Sequence, residues 1–145
     1  MNKQQHLNKL LELNLCPVPV QLTTDGTPEG TVKKPVIKGW TTFATIPTKE
    51  EFAKWPTHNT YGIVCGKISC NLEIIDFDEK HKKGIFEDWK TLLLVIDGGK
   101  ELFEKCVITK TINNGYHILY FCDEIEGNQD LATAADGKDV YIETR

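Results

Sequence analysis

The sequence predicts a mixed α/β domain of the α+β kind, and three observations carry that expectation. Apolar residues recur at helical spacing in two stretches, Leu7, Leu10, Leu11 and Leu15, then Ile85, Trp89, Leu92 and Leu93. Runs rich in β-branched and aromatic residues, bounded by glycine, proline or asparagine, occur at 61–66, 68–77, 106–110, 116–122 and 140–143. The two patterns interleave along the chain, which sets helices against strands in one core.

The first helical stripe runs over 4–14, where Asn14 helps to end it and Pro17 and Pro19 prevent its continuation. Residues 16–22 read as a short extended segment, and the two prolines place it at a sheet edge. A polar loop at 23–30 follows. Lys33, Lys34 and Lys38 around Pro35, Gly39 and Trp40 fit either a phosphate-facing loop or a solvated basic turn with a core tryptophan. Thr48 before Glu50 and Glu51 reads as the N-cap of a short helix ending near Trp55-Pro56. The runs at 61–66 and 68–77 are expected to pair as a hairpin about a Gly-Lys turn. A second amphipathic helix at 84–94 ends at Asp97-Gly98-Gly99, with a further helical turn to Glu104. Strands at 106–110 and 116–122 flank the hairpin turn Asn113-Asn114-Gly115. Residues 123–136 read as an acidic loop with a helical turn, and 140–143 as the last strand.

The 145 residues suit one domain, 1–145, with no internal repeat or linker. No apolar run reaches the roughly 20 residues that span a bilayer, and the N-terminus lacks a signal-peptide core, so a cytoplasmic protein without membrane contact is expected. Five cysteines without C-x-x-C spacing argue against a zinc site or a disulfide framework; Cys65, Cys70, Cys106 and Cys122 read as reduced, buried thiols. A net charge of −4 disfavours a surface that grips nucleic acid throughout, without excluding a local basic groove.

The chemistry concentrates at Ile74-Ile75-Asp76-Phe77-Asp78. Alternation puts Ile74, Asp76 and Asp78 on one strand face. Two carboxylates there repel, and burial disfavours their charged forms. A hard divalent cation with oxygen ligands, Mg²⁺ or Mn²⁺, relieves both costs. The alternative is a strand that ends at Asp76, with Asp78 opening a solvated turn. If the acids cluster without a cation, Asp76→Asn should slightly raise the melting temperature of the metal-free protein. His117, on a strand just after a glycine turn, fits a ligand-contacting residue or a hydrogen-bonded structural one.

Taken in order, the motifs resemble the N-terminal primase–polymerase domain of the archaeo-eukaryotic primase superfamily, in the form found in phage, prophage and plasmid replication proteins. Lys34-Pro35 through Gly39-Trp40 is similar to that family's K-x-P-x-x-x-x-W motif. Tyr61-Gly62-Ile63-Val64-Cys65-Gly66 leading to Ile75-Asp76-Phe77-Asp78 resembles its glycine-rich lead-in and hydrophobic-D-hydrophobic-D motif. Thr111 through Asn114-Gly115-Tyr116-His117 resembles its small-residue-x-His motif, and Ile142-Glu143-Thr144-Arg145 the start of its E-x-R-G motif. The resemblance spans residues 30–145. It departs in two places: Asn114-Gly115 replaces a double glycine, and the sequence stops where the family continues with glycines and another strand. A fragment of a larger replication protein, truncated after the third acidic motif, is therefore expected.

The resemblance implies an RNA-recognition-motif-like sheet packed on an N-terminal α/β unit. It also implies template-directed nucleotidyl transfer, as primer synthesis or DNA polymerisation, with two divalent cations held by Asp76, Asp78 and Glu143. By the same resemblance His117 contacts the incoming nucleotide, Lys110 and Arg145 neutralise triphosphate charge, and the partners are nucleoside triphosphates, a single-stranded or primed DNA template, and a downstream helicase domain or helicase partner. A metal-dependent nuclease using the same acids, or a non-catalytic nucleic-acid or partner-binding module on the same core, remains the alternative.

Overall fold

Helix α1 (Lys3–Glu12) starts where the Asn2 side chain accepts from the Gln5 N–H and the Gln5 side chain accepts from the Asn2 N–H, a reciprocal cap that satisfies two otherwise free donors. It buries Leu7 and Leu10 and ends before Asn14, whose positive φ of 54° turns the chain. The computed structural model describes residues 2–27 and 30–145, so Pro28 and Glu29 of the expected loop lie outside the described residues. After Leu72 the chain divides into two compact units. No helix among the described residues is long and apolar enough to cross a membrane.

The first unit is a three-stranded antiparallel sheet in the order β2-β1-β3, with α1 packed on β1 and β3. Strand β1 (Cys16–Thr23) is its centre, which corrects the expected edge position. Its prolines are tolerated because alternate residues point their backbone groups to alternate sides. Cys16 and Leu22 turn theirs toward the side of β3 (Thr60–Val64), taking the Ser69 hydroxyl and the Asn59 amide there. Pro17 and Pro19 face the other side, where β2 (Val32–Pro35) pairs only from Val20 onward and Pro19 contributes just its carbonyl, to Val36 N–H. Lys33 and Lys34 are exposed on β2, and Trp40 opens a short 3₁₀ turn, half-buried and not in the core.

Helix α2 (Lys49–Ala53) carries the expected Thr48 cap, closed by Glu51. Those same hydrogen bonds hold the Glu51 carboxyl below its usual range. The expected hairpin at 61–77 does not form. Cys70 and Asn71 both take positive φ, a 3₁₀ turn at Lys67–Ser69 intervenes, and the next strand joins a different sheet. Ser69 anchors that break: its buried hydroxyl accepts from Cys16 N–H and donates to the Val64 carbonyl. None of the five cysteines is in a disulfide, but Cys16 is the fully buried one, Cys65, Cys106 and Cys122 are half-buried and Cys70 is exposed.

The second unit is a five-stranded antiparallel sheet in the order β5-β6-β4-β8-β7. Its strands are β4 (Leu72–Phe77), β5 (Val107–Lys110), β6 (Tyr116–Phe121), β7 (Asp130–Thr133) and β8 (Val140–Thr144). The chain leaves β4, crosses by helices α3 (Ile85–Val95) and α4 (Gly99–Lys105) to β5, and returns by the hairpin to β6 beside β4. This is the split β-α-β order of an RNA-recognition-motif-like sheet. Between β6 and β8 the chain forms the edge strand β7, where a loop with a helical turn was expected. The reason is pairing to β8, with two register irregularities, and not any local periodicity.

One sheet face carries the core: Phe77, Ile118 and Ile142 pack with Ile85 and Phe86 of α3, and Tyr116 stacks on Phe86 at 4.1 Å between ring centroids. Helix α3 has glycine at its N-cap, so its leading N–H groups depend on a residue outside the helix. The Glu79 carboxylate accepts from Gly84 N–H (2.8 Å) and from Phe86 N–H (3.2 Å). It serves as a remote anionic cap at the positive end of the helix. Glu79→Ala should therefore cost about 1–2 kcal/mol in urea denaturation, whereas loss of a merely solvated turn residue would cost almost nothing.

Candidate functional site

The opposite face of the same sheet carries the acids. Asp76 and Glu143 are direct partners in the antiparallel register of β4 and β8, so both side chains leave the sheet on one face. His117 on β6 reaches them from the other flank of β4, with Nε2 3.4 Å from Asp76 Oδ1. Arg145 completes the group. Its backbone N–H and carbonyl both bond to Ile74, which aims the side chain back over β4. Its Nε lies 3.0 Å from Asp76 Oδ2 and its Nη2 2.6 Å from Glu143 Oε1. Asp76 is the most enclosed member, its side chain 19% exposed against 53% for Arg145.

The bridge by Arg145 is the electrostatic centre of this arrangement. Two carboxylates about 4 Å apart repel by roughly 4 kcal/mol near a protein surface, and a guanidinium between them reverses the sign of the local interaction. The pair thus already binds a cation, supplied by its own strand.

Asp78 does not join the group. The strand ends at Phe77, and Asp78 Oδ1 accepts from Lys80 N–H at 2.9 Å, a tight local turn. Its other oxygen faces His81 Nε2 at 3.9 Å, and His81 Nδ1 meets Asp139 at 3.1 Å. Lys110 lies opposite Tyr116 in the register of β5 and β6, while His117 lies opposite Thr109. Lys110 therefore shares the helix-covered face with Tyr116 and is turned away from Asp76. Of the residues expected at the site, Asp76, Glu143, His117 and Arg145 meet, and Asp78 and Lys110 stand apart.

Two further acids of the same sheet were missed in the sequence, one beside this group and one on the other face. Asp130 on β7 is registered opposite Glu143, a placement set by strand pairing within a stretch that reads as loop. Glu73, one turn of the pleat before Ile75, is buried and accepts a hydrogen bond from the Tyr120 hydroxyl on the core side of the sheet. Burial first, and the carboxylate second, push the Tyr120 hydroxyl well above its usual range.

Among the described residues no three His, Cys, Asp or Glu side chains lie close enough to enclose a metal ion. The donor chemistry of Asp76 and Glu143 nevertheless suits a hard divalent cation, since carboxylate oxygens facing one another already hold a positive group. Compared with known protein families and with curated proteins, the chain matches none.

Proposed function

We propose that the sheet face bearing Asp76, Glu143 and His117 performs template-directed nucleotidyl transfer in the replication of a phage, prophage or plasmid. The observation that supports this reading is the direct Asp76–Glu143 pairing, with His117 on the neighbouring strand 3.4 Å from Asp76. Asp76 and Glu143 would hold Mg²⁺ or Mn²⁺. When bound, such ions activate a 3′-hydroxyl and neutralise the triphosphate. Arg145, more exposed than either acid, would leave the carboxylates and pair with phosphate oxygens, which offer the same bidentate geometry. His117 would donate Nε2–H to a phosphate or sugar oxygen. Asp78 joins only by releasing the Lys80 N–H, at a cost of about 1 kcal/mol. Nucleoside triphosphates and a DNA template are the substrates on this reading, with a helicase domain or partner beyond.

The test is incubation of the chain with Mn²⁺, labelled nucleoside triphosphates and single-stranded or primed DNA. Extended products are expected, reduced about a thousandfold in Asp76→Asn. His117→Ala should weaken triphosphate binding about tenfold in calorimetry, while Trp89→Phe, on the core side, leaves it unchanged. Shortened DNA without extension would assign the same acids to a nuclease. Unchanged products in Asp76→Asn would overturn the reading.

A further inference from the structure

The acid-bearing face continues past His117 into an apolar floor. Alternation along β6 puts Tyr116, Ile118 and Tyr120 on the core side, where Tyr116 stacks on Phe86 and the Tyr120 hydroxyl meets Glu73. His117, Leu119 and Phe121 therefore share the open face. Val107 of β5 lies directly opposite Leu119 in the register. On the other flank, the Asp76–His117 and Glu73–Tyr120 contacts run β4 antiparallel to β6 and set Ile74 beside Leu119. Ile74 and Leu119 are half-buried. Val107 is 60% and Phe121 63% exposed, against 1% for Ile118 on the reverse side of the same strand.

This face is polarised along β6. Asp76, Glu143 and Arg145 gather at the His117 end, whereas Ile74, Val107, Leu119 and Phe121 carry no charge. Apolar residues scattered singly on a surface are ordinary, but a contiguous apolar patch adjoining a charged site marks a binding surface. Same-face neighbours on a strand are about 6.7 Å apart, so Phe121 stands roughly 13 Å along the strand from His117. An extended nucleoside triphosphate spans a comparable distance from its terminal phosphate to its base. It has the same polarity, charged at one end and flat and uncharged at the other.

We propose that the incoming nucleotide lies along β6, its phosphates at His117 and its base stacked on Phe121 over the floor of Leu119, Val107 and Ile74. The inference rests on the nucleotidyl-transfer reading and adds to it where the base sits. A phenyl ring stacks on any base, so this platform supplies affinity without reading a hydrogen-bond pattern.

The test is calorimetry of the whole chain with Mn²⁺ and dATP, compared with inorganic triphosphate, which lacks the base. Phe121→Ala should weaken dATP about tenfold or more and leave inorganic triphosphate unchanged. Phe121→Trp should restore dATP binding. Asp76→Asn should weaken both ligands. Leu92→Ala, which trims a similarly exposed apolar side chain of α3, should alter neither. If the wild type binds both ligands and Phe121→Ala binds dATP as tightly, the platform is overturned and the nucleotidyl-transfer reading stands. If the wild type binds neither, both fall. Equal weakening of dATP and inorganic triphosphate in Phe121→Ala would assign the ring to the sheet's structure and overturn the proposal. Weakened binding of single-stranded DNA with dATP unchanged would seat a template base on Phe121 and overturn it as well.

Discussion

Replacing Gly115 by alanine should destabilise the protein by about 3 kcal/mol or more, lowering the melting temperature by roughly 10 °C. The reason is a backbone contact. A β-carbon at Gly115 would stand 2.2 Å from the Phe77 carbonyl oxygen, with the Thr111 hydroxyl at 3.3 Å. Neither the carbonyl of the sheet's central strand nor the buried glycine can move without parting β4 from β6. Asp76 precedes Phe77 and His117 follows two residues after Gly115, so the same displacement opens the 3.4 Å approach of His117 to Asp76. Asn114→Gly provides the contrast: its φ of 63° is one that glycine adopts freely, and the change should cost less than about 1 kcal/mol. Asn114-Gly115 thus divides two tasks, a left-handed turn and a close approach, between two residues. Urea denaturation of both variants is the measurement; a loss below about 1 kcal/mol in Gly115→Ala would remove the close contact from the account.

Millimolar Mn²⁺ should raise the melting temperature of the wild type, and Asp76→Asn should abolish that response. With a dissociation constant near 0.1 mM, 1 mM metal would add about 1.4 kcal/mol, or roughly 4 °C. The structure reverses the expected effect of Asp76→Asn without metal. Clustered acids alone would gain from losing a charge, but here Arg145 and His117 both face the Asp76 carboxylate. Neutralising it leaves Arg145 with Glu143 only, so the metal-free melting temperature should fall. The fall should be modest, about 1 kcal/mol or less, because Arg145 is half exposed and its bridges are screened by solvent. Arg145→Gln separates the two effects: it removes the competing cation, so it should lower the metal-free melting temperature while enlarging the Mn²⁺ shift. Equal shifts in wild type and Asp76→Asn would show that these carboxylates hold no metal.

What the sequence made legible was local. The leucine stripe of α1, the Thr48 cap, the acid-bearing strand at Leu72–Phe77 and the turn before His117 each depend on residues within a few positions of one another. The Asn2 and Gln5 cap is equally local, an N-x-x-Q pattern before an apolar stripe. Strand partners were not legible. Pro17 and Pro19 argued for an edge because a proline lacks a donor, yet which side of the strand needs donors depends on where β2 begins to pair. Asp130 looked like loop because β7 owes its existence to β8. At the site, alternation put Asp76 and Asp78 on one face, but Asp78 is the last residue whose backbone bonds to the neighbouring strand, and its carboxylate satisfies a backbone donor of its own turn.

The two outer strands of the five-stranded sheet are its shortest, β5 and β7 with four residues each. An outer strand offers unpaired backbone groups to any passing chain, and an unguarded one invites edge-to-edge aggregation. Here β7 is kinked by two register irregularities, and β5 ends in an exposed lysine. Lys110, turned away from the acids, thereby acquires a different employment: its charge must be desolvated before a foreign strand can dock along β5. The acid-bearing strands β4 and β8 lie inside this guarded frame, so a second copy cannot lengthen the sheet at the residues that carry its chemistry.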